Sequence, residues 1–399
     1  VTRARRVSIA VMLATAALAV NVAPGDAHKP ITSPFTYNDD VFPILRDRCG
    51  RCHVKGGVAP MSLMTHEEAV PWGESIRTEL LAGHMPPGGV DSGTARFRNA
   101  SALSPREMNL LLTWVTGGTP FGTPEKTPPP MAYEHGWRLG PPDLELPFPA
   151  EFTIGADKRE QTDEFVLPIK TVQGRGVRAV DLKPGNPAIV RAASISLRPS
   201  ESVTPDMART ETLLGLWLPG DDPIPLDDGL MFELPPSSVL VVRVLYRKTW
   251  EYERQELKDR STVGFYFART TGARMRALTL TLGPQPPFDL KRQSYRRTLT
   301  EDVRAIAVYS DRGQASTSVR ATATRPDGSR VELISFHPLP DWSRRYWFKE
   351  PIALPRGTVI EVSTSVDDET ALLPLSVAPP PTRDADLPIS LTLNVVAPS

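Results

Sequence analysis

The two cysteines of the chain stand three positions apart in one pentapeptide, Cys49-Gly50-Arg51-Cys52-His53. This limits the fold in two ways. No thiol remains for a disulfide elsewhere, so each domain of the 399 residues must be held by its own apolar core. The pentapeptide also has a specific chemistry. Two thiols at this spacing, with a histidine beside the second, are what covalent haem attachment requires: the sulfurs add across the two vinyl groups and the imidazole reaches the iron. A redox thiol pair is expected near a βαβ pattern, and half of a zinc site needs two further ligands at short spacing. Neither accompanies this motif. Cys49 and Cys52 are therefore expected to bind haem c, one per chain, and His53 to be its proximal iron ligand.

The N-terminal residues are consistent with haem attachment outside the cytoplasm. Arg3, Arg5 and Arg6 precede an apolar run over residues 9 to 20, and Gly25 and Ala27 offer a cleavage point before His28. The run is too short to span a bilayer. Residues 1–27 read as a secretory signal, with an uncleaved signal anchor as the other reading. The expected location is periplasmic or secreted, with no stable membrane span after cleavage. Lys plus Arg equals Asp plus Glu, 46 against 46, so no basic field points to nucleic acid. Proline occurs 42 times, about twice the usual share, which argues against long helices over most of the chain and suits short strands joined by rigid turns.

Residues 33–122 are patterned as brief helices. A short one over residues 37 to 45 leads into the cysteine motif. Thr65-His66-Glu67-Glu68 has the form of a capping box, followed by Ile76, Leu80 and Leu81 at helical spacing. Ser104-Pro105-Arg106-Glu107 opens a last helix through Met108, Leu111, Leu112 and Val115, which stops at Gly117-Gly118. This layout resembles class I c-type cytochromes. In that family the sixth iron ligand comes from the loop before the last helix, which here reads His84-Met85-Pro86-Pro87-Gly88. The prolines fix the loop so that the Met85 thioether can face the iron, with His84 as the rival ligand. Met61 and Met64 follow the haem motif too closely and are expected to pack against the porphyrin.

Residues 123–140, rich in Pro and Gly, read as a semi-rigid linker in which His135 is solvated. Beyond it, runs such as Ser238-Val239-Leu240-Val241-Val242-Arg243-Val244-Leu245-Tyr246 and Thr262-Val263-Gly264-Phe265-Tyr266-Phe267 alternate with turn clusters. Two antiparallel β-sandwiches are expected, over 141–287 and 288–399, divided near Pro284-Pro286-Pro287. The fold class is thus multidomain, α plus all-β: a small helical cytochrome c domain followed by two jelly-roll-like sandwiches.

Five phrases in this order carry a second resemblance: Gly140-Pro141-Pro142-Asp143, Lys183-Pro184-Gly185-Asn186-Pro187, Trp217-Leu218-Pro219-Gly220-Asp221, Asp259-Arg260-Ser261-Thr262-Val263-Gly264 and Leu354-Pro355-Arg356-Gly357-Thr358. They resemble the copper type II ascorbate-dependent monooxygenases, the group of peptidylglycine and dopamine hydroxylases, in bacterial versions fused to a cytochrome. The resemblance covers most of residues 33 to 370. It implies two coppers, each held by histidines and one methionine, but the ligand positions differ here. The expected histidine pair is Arg191-Ala192, a His-Tyr-His element is Leu245-Tyr246-Arg247, and a His-Met-His element is Asp311-Arg312-Gly313. No Met follows Met275. A protonated guanidinium has no lone pair to give copper. His337 alone cannot build two sites and reads as a turn histidine.

The expected function is one-electron transfer by a monohaem cytochrome, with a redox protein as donor or acceptor, a copper-free β module for docking or binding, and no catalytic residue. The alternative is a copper-dependent monooxygenase fed electrons by its own cytochrome domain. A third reading is a haem-linked sensor or structural protein.

Overall fold

A computed structural model describes residues 32–88, 90, 96–99, 102–129, 131, 133, 136–169, 175–199, 211–234, 238–269, 272–281, 292–310, 317–338, 343–366 and 390–397. Residues 1–27, expected to be a secretory signal, His135, the expected break at 284–287 and residues 311–313 lie outside these residues.

The helical part is built from short pieces, as its prolines require. A π-helical turn, Tyr37–Val41, runs into α1, Phe42–Arg48, with Pro43 in its first turn where no N–H is needed. Then come α2, His66–Ala69, α3, Gly73–Leu81, and α4, Pro105–Thr116. At α4 the capping box is complete: Glu107 N–H donates to Ser104 Oγ at 3.2 Å, and Ser104 N–H donates to the Glu107 carboxylate at 2.7 Å. At α2 only half of it forms. Thr65 Oγ1 accepts from Glu68 N–H, while the Glu68 carboxylate turns to the Ser62 hydroxyl at 2.6 Å. Leu110, Leu111 and Trp114 of α4 close on Tyr37, Val41, Leu45 and Leu80. The Tyr37 hydroxyl is satisfied inside this core by the Leu63 carbonyl at 2.8 Å.

The first sandwich uses β1 Leu144–Pro147, β2 Phe152–Ile154, β3 Glu160–Pro168, β4 Gly176–Lys183, β5 Val190–Pro199, β6 Thr212–Trp217, β7 Leu230–Glu233, β8 Ser238–Arg247, β9 Leu257–Asp259, β10 Thr262–Phe267 and β11 Ala273–Arg274. One sheet runs β1-β10-β4-β7-β11 and the other β3-β8-β5-β6, with β2 and β9 as a small pair. Period-2 patterning makes the core. In β8, Leu240, Val242, Val244 and Tyr246 point inward while Arg243 and Arg247 stay outside. Each fully buried aliphatic of this kind contributes about 1.5–3 kcal/mol. The short β11–β7 pair is parallel, a departure from the expected all-antiparallel pairing.

The second sandwich uses β12 Arg276–Thr281, β13 Arg292–Thr298, β14 Val303–Ser310, β15 Thr317–Thr324, β16 Arg330–Phe336, β17 Arg345–Leu354, β18 Val359–Val366 and β19 Ser390–Val396. Its sheets are β12-β19-β14-β17 and β13-β18-β15-β16. Strand β12 pairs along its whole length with β19, so the changeover between sandwiches precedes the Pro-rich stretch at 284–287.

The three units interlock. Residues 96–98, in the connection between α3 and α4, lie along β17: Arg98 N–H donates to the Trp347 carbonyl and Lys349 N–H to the Arg96 carbonyl, both at 2.8 Å. Phe97 stacks on Phe348 with centroids 5.1 Å apart and enters the second core. Arg98 also pairs with Asp227 of the first sandwich at 2.6 Å. The stretch expected to be a linker is itself laid down on its neighbours. The Lys126 ammonium pairs with Asp39, Tyr133 packs on the helical core, and the Trp137 indole donates to Glu145 at 2.9 Å.

Candidate functional site

The cysteine motif forms a single tight turn at the end of α1. Cys49 N–H donates to the Leu45 carbonyl at 2.8 Å, and the N–H groups of Cys52 and His53 both donate to the Cys49 carbonyl, at 3.0 and 2.8 Å. This winding presents both sulfurs and the imidazole from one loop. Gly50 is required for it, since a Cβ there would stand 2.7 Å from the Arg46 carbonyl oxygen and 2.9 Å from the Met64 sulfur. The two thiols are not bonded to each other. Burial pushes Cys49 up to about 12 and Cys52 up to about 11, and the nearby Asp221 adds to the second shift. Burial also lowers the pKa of His53, opposed by the Met61 backbone. The His53 imidazole is buried, and the Met61 backbone is the one polar group that acts on it among the described residues.

The turn is covered by the loop after β6. Cys52 Sγ–H donates to the Pro219 carbonyl at 3.4 Å, Arg51 Nη1 donates to the Gly220 carbonyl at 3.0 Å, and Arg51 pairs with Asp222 at 2.7 Å. Gly220 has a φ of +80°, and a Cβ there would come 3.0 Å from the Arg51 Cβ and 3.1 Å from the Cys52 sulfur. Only glycine both adopts this turn and permits this approach. Next to it, Asp221 pairs with Arg344 at 2.7 Å, and the Arg344 side chain is only 5% exposed. Burial still holds the Asp221 carboxyl above its usual range. Gly88 packs against the same Arg344 guanidinium. Gly88, three residues past Met85, thus lies at the guanidinium that pairs with Asp221 of the loop covering Cys52.

Among the other residues singled out from the sequence, Met85 is half-buried. His84 is turned outward, its side chain 57% exposed and its Nδ1 3.0 Å from Glu79 Oε2. Met64 is fully buried and Met61 partly so, both in the helical core. Arg191 is buried and donates to the Val58 carbonyl, across the boundary from its own sandwich. Arg247 pairs with Glu160 on the surface, and the Tyr246 hydroxyl donates to the buried Asp259 at 3.0 Å. His337 is exposed just past the end of β16.

No family model matches the chain, and no curated protein matches it either. Solved structures give low-scoring matches. An allantoicase is 12% identical, with 51% of this chain and 73% of that one covered and a TM-score of 0.16. The major capsid protein P2 of bacteriophage PM2 is 8% identical, with coverage of 64% and 97% and a TM-score of 0.26. The tandem CBM22 domains of a Paenibacillus barcinonensis protein, Xyn10C, are 9% identical, with coverage of 63% and 92% and a TM-score of 0.16. Scores this low transfer nothing to this chain.

Sequence reasoning missed the groups that surround the cysteine turn. Tyr133, Arg138, Asp181, Lys183, Trp217 and Asp221 line a crevice at the boundary. Within it, burial raises Asp181 to about 6, against the pull of the Leu182 and Arg138 backbone amides. One signal was present: the phrase Trp217-Leu218-Pro219-Gly220-Asp221 stood out in the sequence and forms the cover itself. Nothing in the sequence linked that phrase to Cys52. Among the described residues no helix is long and apolar enough to cross a membrane.

Proposed function

We propose that this protein binds one haem c covalently and transfers single electrons outside the cytoplasm, exchanging them with a redox protein. The observation that carries this reading is the turn at 49–53, which holds two unbonded thiols and a buried imidazole in one loop. These groups fit covalent haem in type, number and order. Bound there, haem would supply a one-electron iron couple.

The residues of the chain do the rest. Cys49 and Cys52, both held as protonated thiols at neutral pH by burial, would each add sulfur and hydrogen across one vinyl double bond, with no net oxidation. His53, kept neutral by the same burial, has a ring-nitrogen lone pair for the iron. Met85 is the proposed sixth ligand, and the outward, Glu79-bound posture of His84 supports that choice. Held by His53 and Met85 together, haem would supply outer-sphere electron transfer rather than oxygen activation. The sandwiches serve as a docking module that covers the Cys52 side. Their proposed kinship is with the jelly-roll-like copper monooxygenases. Arg191 and Arg247, at copper-ligand positions of that family, are instead engaged with Val58 and Glu160.

The test is iron and copper content per chain in protein matured with haem, exposed to copper and dialysed. One iron and no copper is the expected result. No covalently retained iron overturns the haem reading, and one or two retained coppers would put hydroxylation by the β module in its place.

A further inference from the structure

We propose that Arg191, supplied by the first sandwich, is a positioning residue of the haem site that fixes the loop after His53 and biases the iron couple toward the reduced state. This rests on the haem reading above.

Three observations meet at this residue. The first is backbone geometry. In the β5–β8 ladder, Val190 pairs with Tyr246 and Ala192 with Leu245, so Arg191 is the extra residue of a β-bulge. A bulge takes its residue out of the alternation and re-aims the side chain. Here it sends the guanidinium out of the sandwich to the Val58 carbonyl, five residues past His53. The second is charge. The site holds three cations from three parts of the chain. Arg51 is neutralised by Asp222 and Arg344 by Asp221. Arg191 is buried, and among the described residues no carboxylate faces it; its electrostatic neighbours are Arg247 and Cys52. The third is that burying such a charge opposes folding unless something recovers the cost, and a single carbonyl recovers only part of it.

The uncompensated charge bears instead on the proposed haem couple. Bound there, ferric iron would accept one electron from the redox partner and become ferrous, and the site would lose one unit of positive charge. A fixed buried cation disfavours the oxidised form through Coulomb repulsion, and low solvent access leaves that repulsion little screened. Removing the charge while keeping a donor for Val58 should favour the ferric form.

The experiment compares the full haem-loaded chain with Arg191→Gln, which keeps a donor without charge, and Arg191→Lys, which keeps the charge. The reduced-to-oxidised ratio is read optically at one fixed ambient potential set by mediators. Gln is expected to lower the ratio on the order of tenfold, about 59 mV for a one-electron couple. Lys should restore most of it. An unchanged ratio in Arg191→Gln overturns the proposal, as does an equal fall in both variants, which would assign Arg191 to packing alone. If Arg191→Gln does not fold, Arg191→Lys decides, and a tenfold fall there is the overturning result. If the unmodified chain retains no haem, the haem reading fails first, and that outcome is distinct from the others.

Discussion

Asp181 shows how burial decides the behaviour of one carboxyl. It is 2% exposed, and its folded pKa of about 6 lies above the ordinary carboxyl value of 3.8. The folded state therefore binds the proton more tightly than the unfolded chain does. The stabilising contribution is complete below 3.8 and is lost as pH rises through 6. Asp181→Asn should remove this penalty, with a gain larger at pH 8 than at pH 5 by on the order of 1 kcal/mol, read from denaturant midpoints at the two values. A gain independent of pH would show that the carboxyl is not buried in this way. For the proposed haem site, His53→Ala should abolish a low-spin spectrum in protein matured with haem, Met85→Ala should alter it, and His84→Ala should leave it unchanged. An altered spectrum in His84→Ala alone would exchange the two ligand roles. That Cys49, Cys52 and His53 share one turn was legible in the sequence because it is set by spacing along the chain, and their proposed chemistry rests on that spacing. Arg191 and Asp181 were not, because what distinguishes them is burial at a boundary, which only tertiary contact creates.

Among the elements, those with a local chemical signature were the legible ones. The start of α4 at Ser104-Pro105 and the strand patterning of β8 were read directly, whereas the capping box expected at Thr65 and Glu68 forms only by half. The Glu68 contact with Ser62 was not legible, since two acceptable partners lay within reach and the choice was tertiary. The parallel β11–β7 pair had no sequence signal at all, because two residues carry no period. Ser104→Ala should cost about 1 kcal/mol of helical-unit stability, measured by chemical denaturation. Gly220→Ala imposes strain at a φ of +80° and sets a methyl against Cys52. Its expected effect is a looser cover over the cysteine turn, seen as faster proteolytic cutting within 123–140; unchanged cutting would mean that the cover is not held by this loop.

For the molecule as a whole, magnitude separates the ion pairs that join the units. Arg51 and Asp222 are both about half exposed, with side-chain values of 46% and 51%, so Arg51→Ala should change stability by less than about 1 kcal/mol. Asp221→Ala leaves the 5%-exposed Arg344 without that carboxylate and should cost about 3–5 kcal/mol, read as a lower unfolding midpoint. Equal effects in the two variants would contradict the burial difference. The contact of residues 96–98 with β17 has a separate consequence. β17 ends its sheet, and its outer N–H and C=O groups at Trp347 and Lys349 are paired only because a piece of the helical unit lies along them. With that piece gone, the fragment 141–399 would offer an open template for a second chain, with the site vacated by Phe97 as an apolar notch beside it. The helical unit thus also acts as a guard against self-association. The fragment should form higher-order species in light scattering where the full chain does not.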